Sequence, residues 1–267
     1  MSFTAEWLKL REPYDRRARN ASVLDAVASA VGGLPFLTVV DLACGTGSTM
    51  RAISSHLPAR QTWRLVDNNL GLLGRAADAA PAGVSAQPKP VDLARDLELA
   101  LDGPTDLITT SALLDLVSAE WLDRFLTEAA ARRLPLYAAL TYDGRVELEP
   151  GDLLDKKIVA AVNRHQRREK GFGPALGPEA APAAIRRSEA LGYAITQGYS
   201  DWVFEPSDRE IQEEVLAGWA AAARETGDVP LPDILGWITH RRELAADGRS
   251  RMRVGHVDFL ARPTGTR

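Results

Sequence analysis

The chain has 267 residues, of which 45% are hydrophobic, 25% charged and 6% aromatic, and its formal net charge is −4. This length allows one large hydrophobic core with residues left over for a cap, and the charge offers no general field for nucleic acid. The single cysteine, Cys44, excludes an internal disulfide, and no apolar run reaches the length of a membrane span. We therefore expect a cytoplasmic globular protein with no nucleic-acid partner and no membrane partner.

The first predicted element is a helix over residues 15–32, whose valines and leucines form an apolar face. A dense polar stretch leads into it, and Pro13 and Asp15 are typical of a helix start. This stretch has two interpretations. It is either a solvated helix start or part of a helix that lies over a ligand site, with Tyr14 and Arg19 pointing into the site.

The run Thr38–Leu42 is β-branched and aliphatic, which predicts a buried parallel strand with Asp41 at its end. Gly45 and Gly47 follow, and then a helical pattern over residues 48–57. A strand, a glycine turn and a helix in this order form the mononucleotide-binding half of a doubly wound fold. A dinucleotide fingerprint would add a third glycine and a phosphate loop a lysine, and neither is present. The acid at the strand end suits a cationic ligand and would repel a pyrophosphate.

A second strand is predicted over residues 61–67, and it also ends in an acid, Asp67, 20 residues beyond Gly47. A carboxylate at this place in a doubly wound fold binds the ribose hydroxyls of a nucleotide. We therefore predict that Asp67 binds a ribose and that Asn68 lies near the base, against the alternative of an acid in an ordinary turn. The third strand, over residues 84–93, contains two prolines, which indicates the edge of the sheet.

The segment Asp41-Leu42-Ala43-Cys44-Gly45-Thr46-Gly47 resembles motif I of the class I S-adenosylmethionine-dependent methyltransferases. In that family an acid-x-Gly/Ala-x-Gly-x-Gly turn holds the methionine end of the cofactor, and here Ala43 replaces the first glycine. The resemblance further implies that Asp92 accepts a hydrogen bond from the adenine amine and that the backbone at Leu93 contacts the ring. It also implies S-adenosylmethionine as the cofactor.

Residues 105–116 predict the fourth strand and the turn after it. The strand order of a doubly wound sheet reverses between the first and fourth strands, so Thr110, Ser111 and Ala112 should lie near the reacting methyl group. The turn lacks the Asn/Asp-Pro-Pro-Tyr motif that is common in methyltransferases acting on base or amide nitrogens of macromolecules. Its one acid, Asp115, has no partner at metal-ligand spacing, so no metal is expected. The predicted cofactor-binding set is Asp41, Ala43, Gly45, Gly47, Asp67, Asn68, Asp92, Leu93, Thr110, Ser111, Tyr14 and Arg19.

The remaining pattern predicts a fifth strand, a helix with an irregular loop, a sixth strand, two helices and an alternating last strand: 134–142, 149–178, 193–204, 207–226, 231–246 and 252–261. The expected fold is α/β, a three-layer doubly wound and mostly parallel seven-stranded sheet with an antiparallel last strand and helical cap insertions. As the resemblance implies, the last strand lies between the fifth and sixth. The single domain divides into an N-terminal helical cap (1–35), a cofactor-binding Rossmann-like core (36–147), a substrate-cap insertion (148–178) and the rest of the sheet with added helices (179–267).

The predicted acceptor site draws on this insertion. His165 is the first candidate for a general base, because an imidazole titrates near neutral pH, and Tyr142 at the end of the fifth strand is the second. Asn163 and Phe172 are predicted, with His165 and Tyr142, to bind the substrate. The alternative is a polar helix end with one half-buried histidine. An anionic substrate also remains an alternative, because a basic run lies in this insertion: Arg164, Arg167, Arg168 and Lys170.

The sequence thus predicts a metal-independent methyltransferase that moves a methyl group from S-adenosylmethionine to an oxygen or nitrogen nucleophile of a small molecule. Two alternatives remain. One is an NAD-dependent oxidoreductase on a Rossmann fold, which Asp67 would suit but the missing third glycine would not. The other is a protein that binds S-adenosylmethionine without catalysis. A homodimer is left open.

Overall fold

The computed structural model describes residues 3–265, in which eight strands and ten α-helices alternate for most of the chain. The strands are β1 (Leu37–Leu42), β2 (Gln61–Asp67), β3 (Val84–Pro90), β4 (Leu107–Ser111), β5 (Leu136–Glu149), β6 (Tyr193–Tyr199), β7 (Trp202–Phe204) and β8 (Arg251–Pro263). The helices are α1 (Ala5–Ala18), α2 (Ala21–Val31), α3 (Ser48–Ile53), α4 (Leu70–Asp78), α5 (Leu97–Leu101), α6 (Ala119–Ala131), α7 (Asp155–Gln166), α8 (Ala180–Ala190), α9 (Arg209–Thr226) and α10 (Leu231–Ala246).

The strands form one sheet in the order β3-β2-β1-β4-β5-β8-β6, and β7 pairs with β8. The pairs among β1 to β5 are parallel, whereas β8 is antiparallel to β5, β6 and β7. The predicted doubly wound α/β fold is therefore confirmed, with the last strand antiparallel between the fifth and the sixth. The order reverses between β1 and β4, which puts a ligand crevice at the carboxyl ends of those strands.

Helices cover both faces of the sheet, as a buried parallel sheet requires. On one face, the valines of α2 pack with Met50, Ile53 and Leu73 against Val39 and Trp63. On the other face, side chains of α5, α6 and α8 pack against β1, β4 and β5. The result is the predicted three-layer arrangement, with apolar strands in the middle layer.

The sheet has one strand more than predicted, because the predicted sixth strand is interrupted after Tyr199. The regular pairing with β8 stops at Ser200 and Asp201, although the Ser200 N–H still donates to the His256 carbonyl at 2.9 Å, and β7 then pairs with the start of β8. The fifth strand is also longer than predicted. It continues to Glu149 and pairs again with β8 beyond two irregularities in register.

The N-terminal segment differs from the prediction of a single helix over 15–32. The structure has α1 from Ala5 to Ala18 with Pro13 inside it, and a second helix, α2, that Asn20 caps by accepting a hydrogen bond from the Val23 N–H. Pro13 therefore does not start a helix. Thr4 caps α1 instead. The start signal at Pro13 is misleading because a proline can also lie inside a helix, where it lacks the N–H for one backbone hydrogen bond.

A third apolar cluster lies beyond the parallel half of the sheet. Helices α7, α9 and α10 pack on one another and on the extended ends of β5 and β8. Helices α9 and α10, which precede the last strand, thus form one layer with α7, which belongs to the predicted insertion over residues 148–178. Within residues 3–265, no helix combines the length and the apolar composition that a membrane crossing requires.

Candidate active site

A cleft of about 520 Å³ opens at the carboxyl ends of β1 to β4. One side, the strand-tip wall, consists of lining residues from four segments that follow these strands: 43–49, 67–72, 91–94 and 111–116. The other side, the cap wall, consists of Leu8, Arg11 and Asp15 of α1 together with residues 170–172. The cleft therefore lies where the strand order predicts a ligand site.

The glycine turn after β1 is tight. Gly45 and Gly47 have φ values of +54° and +80°, and the Gly47 N–H donates to the Cys44 carbonyl at 2.8 Å. A Cβ on Gly47 would lie 3.1 Å from the Cβ of Ala76, so only glycine lets α3 begin this close to α4. Ser48 and Thr49, the first residues of α3, line the cleft directly after this turn.

Asp67 lies in the strand-tip wall at the end of β2. Its Oδ2 accepts a hydrogen bond from the Gly45 N–H at 3.0 Å, and its Oδ1 accepts one from the Asn69 N–H at 2.9 Å. Each carboxylate oxygen has two acceptor sites, so this pair of bonds fixes the group and leaves capacity for hydroxyl donors in the cleft. Asn68 also lines the cleft beside it.

Asp41 does not line the cleft. It is buried beneath the turn, where Thr109 Oγ1 donates to its Oδ1 at 2.8 Å and where Oδ2 has no hydrogen-bond partner among the described residues. Burial raises the pKa of Asp41 to about 7, against the lowering effects of Thr109 and Arg19. Any action of Asp41 on a cationic ligand is therefore through its field and not through contact.

Asp92 and Leu93 lie together at the exit of β3 and line the cleft. Asp92 Oδ1 accepts a hydrogen bond from the Ala94 N–H at 3.0 Å, which shapes the turn. The Leu93 carbonyl accepts one from the Trp121 indole N–H at 2.7 Å. Trp121 also meets Phe172 edge to face, with centroids 5.4 Å apart. Phe172 thus lines the cleft next to Leu93.

The end of β4 contributes Ser111 and Ala112 to the cleft, but not Thr110. Thr110 is buried, and its hydroxyl donates to the Leu42 carbonyl at 3.1 Å. Both Ala112 and Ala43 adopt left-handed backbone conformations, with φ of +51° and +54°. An alanine in this conformation is strained, and two of them at neighbouring strand ends mark the switch point of the sheet.

The face of α1 that lines the cleft carries Leu8, Arg11 and Asp15, which are spaced three and four residues apart. Arg11 Nε donates to Asp15 Oδ2 at 2.9 Å, and both side chains are buried. The predicted residues Tyr14 and Arg19 are on other faces. The Tyr14 hydroxyl donates to Asp208 at 3.2 Å, and the buried Arg19 donates to the hydroxyl of Tyr137, a residue of the interior strand β5, at 3.1 Å.

The four residues predicted to bind substrate are not all in one place. Tyr142 is buried and donates to Asn163 Oδ1 at 2.7 Å, while the Asn163 amide donates to the Gly144 carbonyl. Neither residue lines the cleft, and burial raises the pKa of Tyr142 well above its ordinary value. His165 does not line it either. Its Nε2 lies 2.9 Å from a Glu225 carboxylate oxygen.

The group that separates His165 from the cleft is Lys170, whose Nζ lies 3.3 Å from His165 Nδ1. Asp115 is also buried close to this end of the cleft. Burial raises the pKa of Asp115 to about 6, whereas backbone hydrogen bonds, Arg11 and Lys170 lower it. Sequence reasoning missed that Arg11, Asp15 and Lys170 face the cleft. The signals that could have found them are the helical spacing of the first two and the basic run that contains the third.

Within residues 3–265, no cluster of three or more histidine, cysteine, aspartate or glutamate side chains has the geometry of a metal site. Asp115 is thus not part of such a cluster. The cleft presents to a ligand the carboxylates of Asp67, Asp92 and Asp15, the cations of Arg11 and Lys170, and apolar surface from several leucines and Phe172.

A scan against family models finds no match to this sequence, and no curated protein sequence matches it. Solved structures do match. A cyclopropane-fatty-acyl-phospholipid synthase-like protein from Lactobacillus casei is 14% identical, with 98% of this chain and 95% of that chain covered and a TM-score of 0.54. The cyclopropane synthase MmaA2 from Mycobacterium tuberculosis is 12% identical, with 97% and 95% covered and a TM-score of 0.52.

These two likenesses, at low identity but over nearly the whole of each chain, agree with the strand order and with the cleft at its switch point. The chain has the fold of the class I S-adenosylmethionine-dependent methyltransferases.

Proposed function

We propose that this protein is an S-adenosylmethionine-dependent methyltransferase that acts on an oxygen or nitrogen nucleophile of a small molecule without a metal ion. The observation that carries the proposal is the cleft itself. It joins a glycine turn and Asp67 on the strand-tip wall to a second wall from α1 and the 170–172 loop, at the switch point of the sheet.

The residues of the cleft fit the parts of this cofactor. Asp67 is held by two backbone N–H groups and keeps acceptor capacity for the two ribose hydroxyls. Asp92 and the backbone at Leu93 suit the adenine. The methionine end is a zwitterion, and the Arg11–Asp15 ion pair on the cap wall offers a partner for each of its charges. Asp15 takes the place that the sequence assigned to Asp41.

When bound, S-adenosylmethionine supplies an electrophilic methyl group on a cationic sulfur, and transfer of the methyl group leaves a neutral thioether. The protein's task is to hold the acceptor in line with the carbon–sulfur bond and to exclude water. Positioning of this kind is worth about 7–11 kcal/mol. Ser111 and Ala112 at the end of β4 and Leu116 beyond it line the part of the cleft where an acceptor would lie. An acceptor that carries a proton must also release it to a base.

The dinucleotide alternative is less well supported. Its fingerprint requires a third glycine where this chain has Met50, and the Met50 side chain is fully buried in the core. The non-catalytic alternative would be favoured by a cleft that ended at the cofactor. The lining of the cleft also includes Leu116 and Lys170, which are not among the residues that we assign to the cofactor. Both observations support a catalytic methyltransferase.

Calorimetry tests the cofactor part of the proposal. We expect S-adenosylmethionine and S-adenosylhomocysteine to bind, and NAD not to bind. Asp67→Ala should weaken S-adenosylmethionine binding by about 1.5–3 kcal/mol, since it removes hydrogen bonds to a charged acceptor. Asp78→Ala, at the exposed end of α4, is the matched control and should leave the affinity unchanged. Equal affinity of wild type and Asp67→Ala would refute the ribose assignment.

The acceptor part needs a transfer assay. Purified protein with labelled S-adenosylmethionine should transfer label to a small-molecule fraction of a cell extract and not to its nucleic-acid or protein fractions. Transfer should persist in the presence of a strong metal chelator. Label found mainly in macromolecules, or lost with the chelator, would contradict the proposal.

A further inference from the structure

We propose that Lys170 receives an anionic group of the acceptor, a carboxylate or a phosphate, attached to an apolar body. This inference rests on the proposed function and names the class of its acceptor. It starts from the position of the Lys170 ammonium group. Lys170 lies in the cap wall of the cleft and is only 8% exposed.

The first argument is that this cation has no close counter-ion. Its hydrogen-bond partner among the described residues is His165 Nδ1, at 3.3 Å, and it takes part in none of the ion pairs of residues 3–265 within 4.0 Å. Asp115 and Glu225 attract it from a greater distance, while burial lowers the pKa of its ammonium group. A buried charge without a partner is costly, and an anion that enters the cleft would remove that cost.

The second argument is a contrast with the other cations of the same run. Lys170 is the one member of this run that lines the cleft, and the three arginines form ion pairs with carboxylates elsewhere. The pairs are Arg164 with Asp228 at 2.7 Å, Arg167 with Glu179 at 3.6 Å and Arg168 with Glu225 at 4.0 Å. Arg11, the other cation on the cleft, is held by Asp15. Among the cations of residues 3–265 that line the cleft, Lys170 is thus the one without such a partner.

The third argument is that the ammonium group is held in place. An ammonium group only donates, so His165 Nδ1 accepts and the ring proton is on Nε2, which donates to Glu225 at 2.9 Å. This hydrogen bond lowers the pKa of Glu225 and keeps it an anion. His165 is therefore a positioning residue that acts through Lys170.

The fourth argument concerns the body of the acceptor. Leu8 and Leu116 line the cleft, and so does Leu113. Apolar surface of this kind favours an acceptor with a hydrocarbon or aromatic body. A single fixed cation next to it then orients the molecule by its anionic end.

The experiment uses matched probes with the full protein saturated with S-adenosylhomocysteine. Octanoate, octyl phosphate, octylammonium and octanol share one apolar body and differ in the head group. Calorimetry should show that octanoate or octyl phosphate binds at least about tenfold more tightly than octanol, as expected for a charge-assisted hydrogen bond. The preferred anion then distinguishes a carboxylate from a phosphate acceptor. Anions no tighter than octanol, tighter binding of octylammonium or no binding of any probe would overturn the inference.

Variants give the decisive readout, the ratio of anion affinity to octanol affinity, which a general loss of structure would not change. Lys170→Met should reduce this ratio to about one, whereas Lys170→Arg should retain most of it. His165→Leu should lower it about threefold by releasing the ammonium group. Lys157→Met, at an exposed site on α7, is the control and should leave it unchanged. A ratio that Lys170→Met leaves intact would overturn the inference.

Binding of S-adenosylhomocysteine to each variant separates the two proposals. If wild type fails to bind it, the proposed function fails. If wild type binds it and Lys170→Met binds it about tenfold or more weakly, Lys170 holds the carboxylate of the cofactor, and the inference about the acceptor is wrong.

Discussion

The strand-tip wall and the cap wall of the cleft differ in what holds them. The strand-tip wall follows directly from the strand ends, with left-handed residues at Ala43, Gly45 and Ala112. Backbone hydrogen bonds to neighbouring strands hold it, from the Cys44 N–H to the Val66 carbonyl and from the Ala112 N–H to the Ala139 carbonyl, each at 3.0 Å. The cap wall is made of side chains on α1 and on an irregular loop. Ion pairs hold it to the rest of the molecule, above all Glu12 of α1 with Arg51 of α3, at 2.6 Å and 2.8 Å.

This difference explains why the two walls suit different tasks. A wall made from strand ends exists in any chain that forms this sheet, and it therefore fits a ligand common to many proteins of the fold. A wall made from side chains on a tethered helix can change without altering the sheet. The cap wall is accordingly where we expect the acceptor to be selected, and the predictions below test each wall separately.

The largest expected effect concerns the charge beneath the strand-tip wall. Burial raises the pKa of Asp41 to about 7. Between about pH 4 and pH 7 the folded protein therefore binds more protons at this group than the unfolded chain does. As a result, the contribution of Asp41 to the free energy of unfolding falls as the pH rises through that window. In Asp41→Asn this dependence is absent. We expect the free energy of unfolding of the variant, relative to wild type, to rise by about 2–4 kcal/mol between about pH 4 and pH 8.

Denaturant titrations at the two pH values measure this difference. Asp78→Asn, whose side chain is exposed on α4, is the control and should show no such change. If the Asp41→Asn difference from wild type is the same at both pH values, Asp41 is charged throughout the range and the strand-tip wall carries a full negative charge beneath it.

An intermediate effect is expected from the tether of the cap wall. Glu12→Gln weakens the two hydrogen bonds to Arg51, and we expect a loss of about 1 kcal/mol in the free energy of unfolding and a several-fold weaker binding of S-adenosylhomocysteine. Calorimetry and thermal unfolding measure both. Glu6→Gln, exposed on the same helix, serves as the comparison. Unchanged ligand affinity in Glu12→Gln would mean that the cap wall does not depend on this ion pair.

The smallest expected effect concerns the backbone of the strand-tip wall. Ala43 has φ of +54°, where glycine is free of strain. Ala43→Gly should therefore raise the free energy of unfolding by about 0.5–1 kcal/mol. Ala30→Gly inside α2 should lower it by about the same amount, because glycine weakens a helix interior. A loss of stability in both variants would show that no strain is stored at Ala43.

The sequence predicted the strand-tip wall better than the cap wall, and the reason is physical. The strand runs before Asp41 and Asp67 consist mainly of aliphatic, β-branched and aromatic residues, and the glycines after Asp41 allow one local backbone path. These local signals are enough to place Asp67, Asn68, Asp92 and Leu93 along one cleft. They do not show which side of a strand a residue faces, and hence Asp41 and Thr110 were expected in the cleft although both are buried.

The cap wall depends on packing between distant segments. Because Pro13 was interpreted as a helix start, the first half of α1 was not predicted. The face with Leu8, Arg11 and Asp15 was therefore missed, and Tyr14 on another face was predicted to line the site instead. His165 has the right helical spacing, but Lys170 lies between it and the cleft. No local pattern distinguishes Lys170 from the arginines before it. The folded chain does so, because the arginines form ion pairs and Lys170 lines the cleft.

The position of β8 has a consequence for the order in which the molecule assembles. Strands β1 to β5 can pair with one another as soon as they have been synthesised, but β6 and β7 have β8 as their one strand partner within residues 3–265. Helices α9 and α10 lie between them in sequence. A nascent chain can therefore complete the glycine turn and Asp67 early, while roughly its last third waits for residues 251–263 to leave the ribosome.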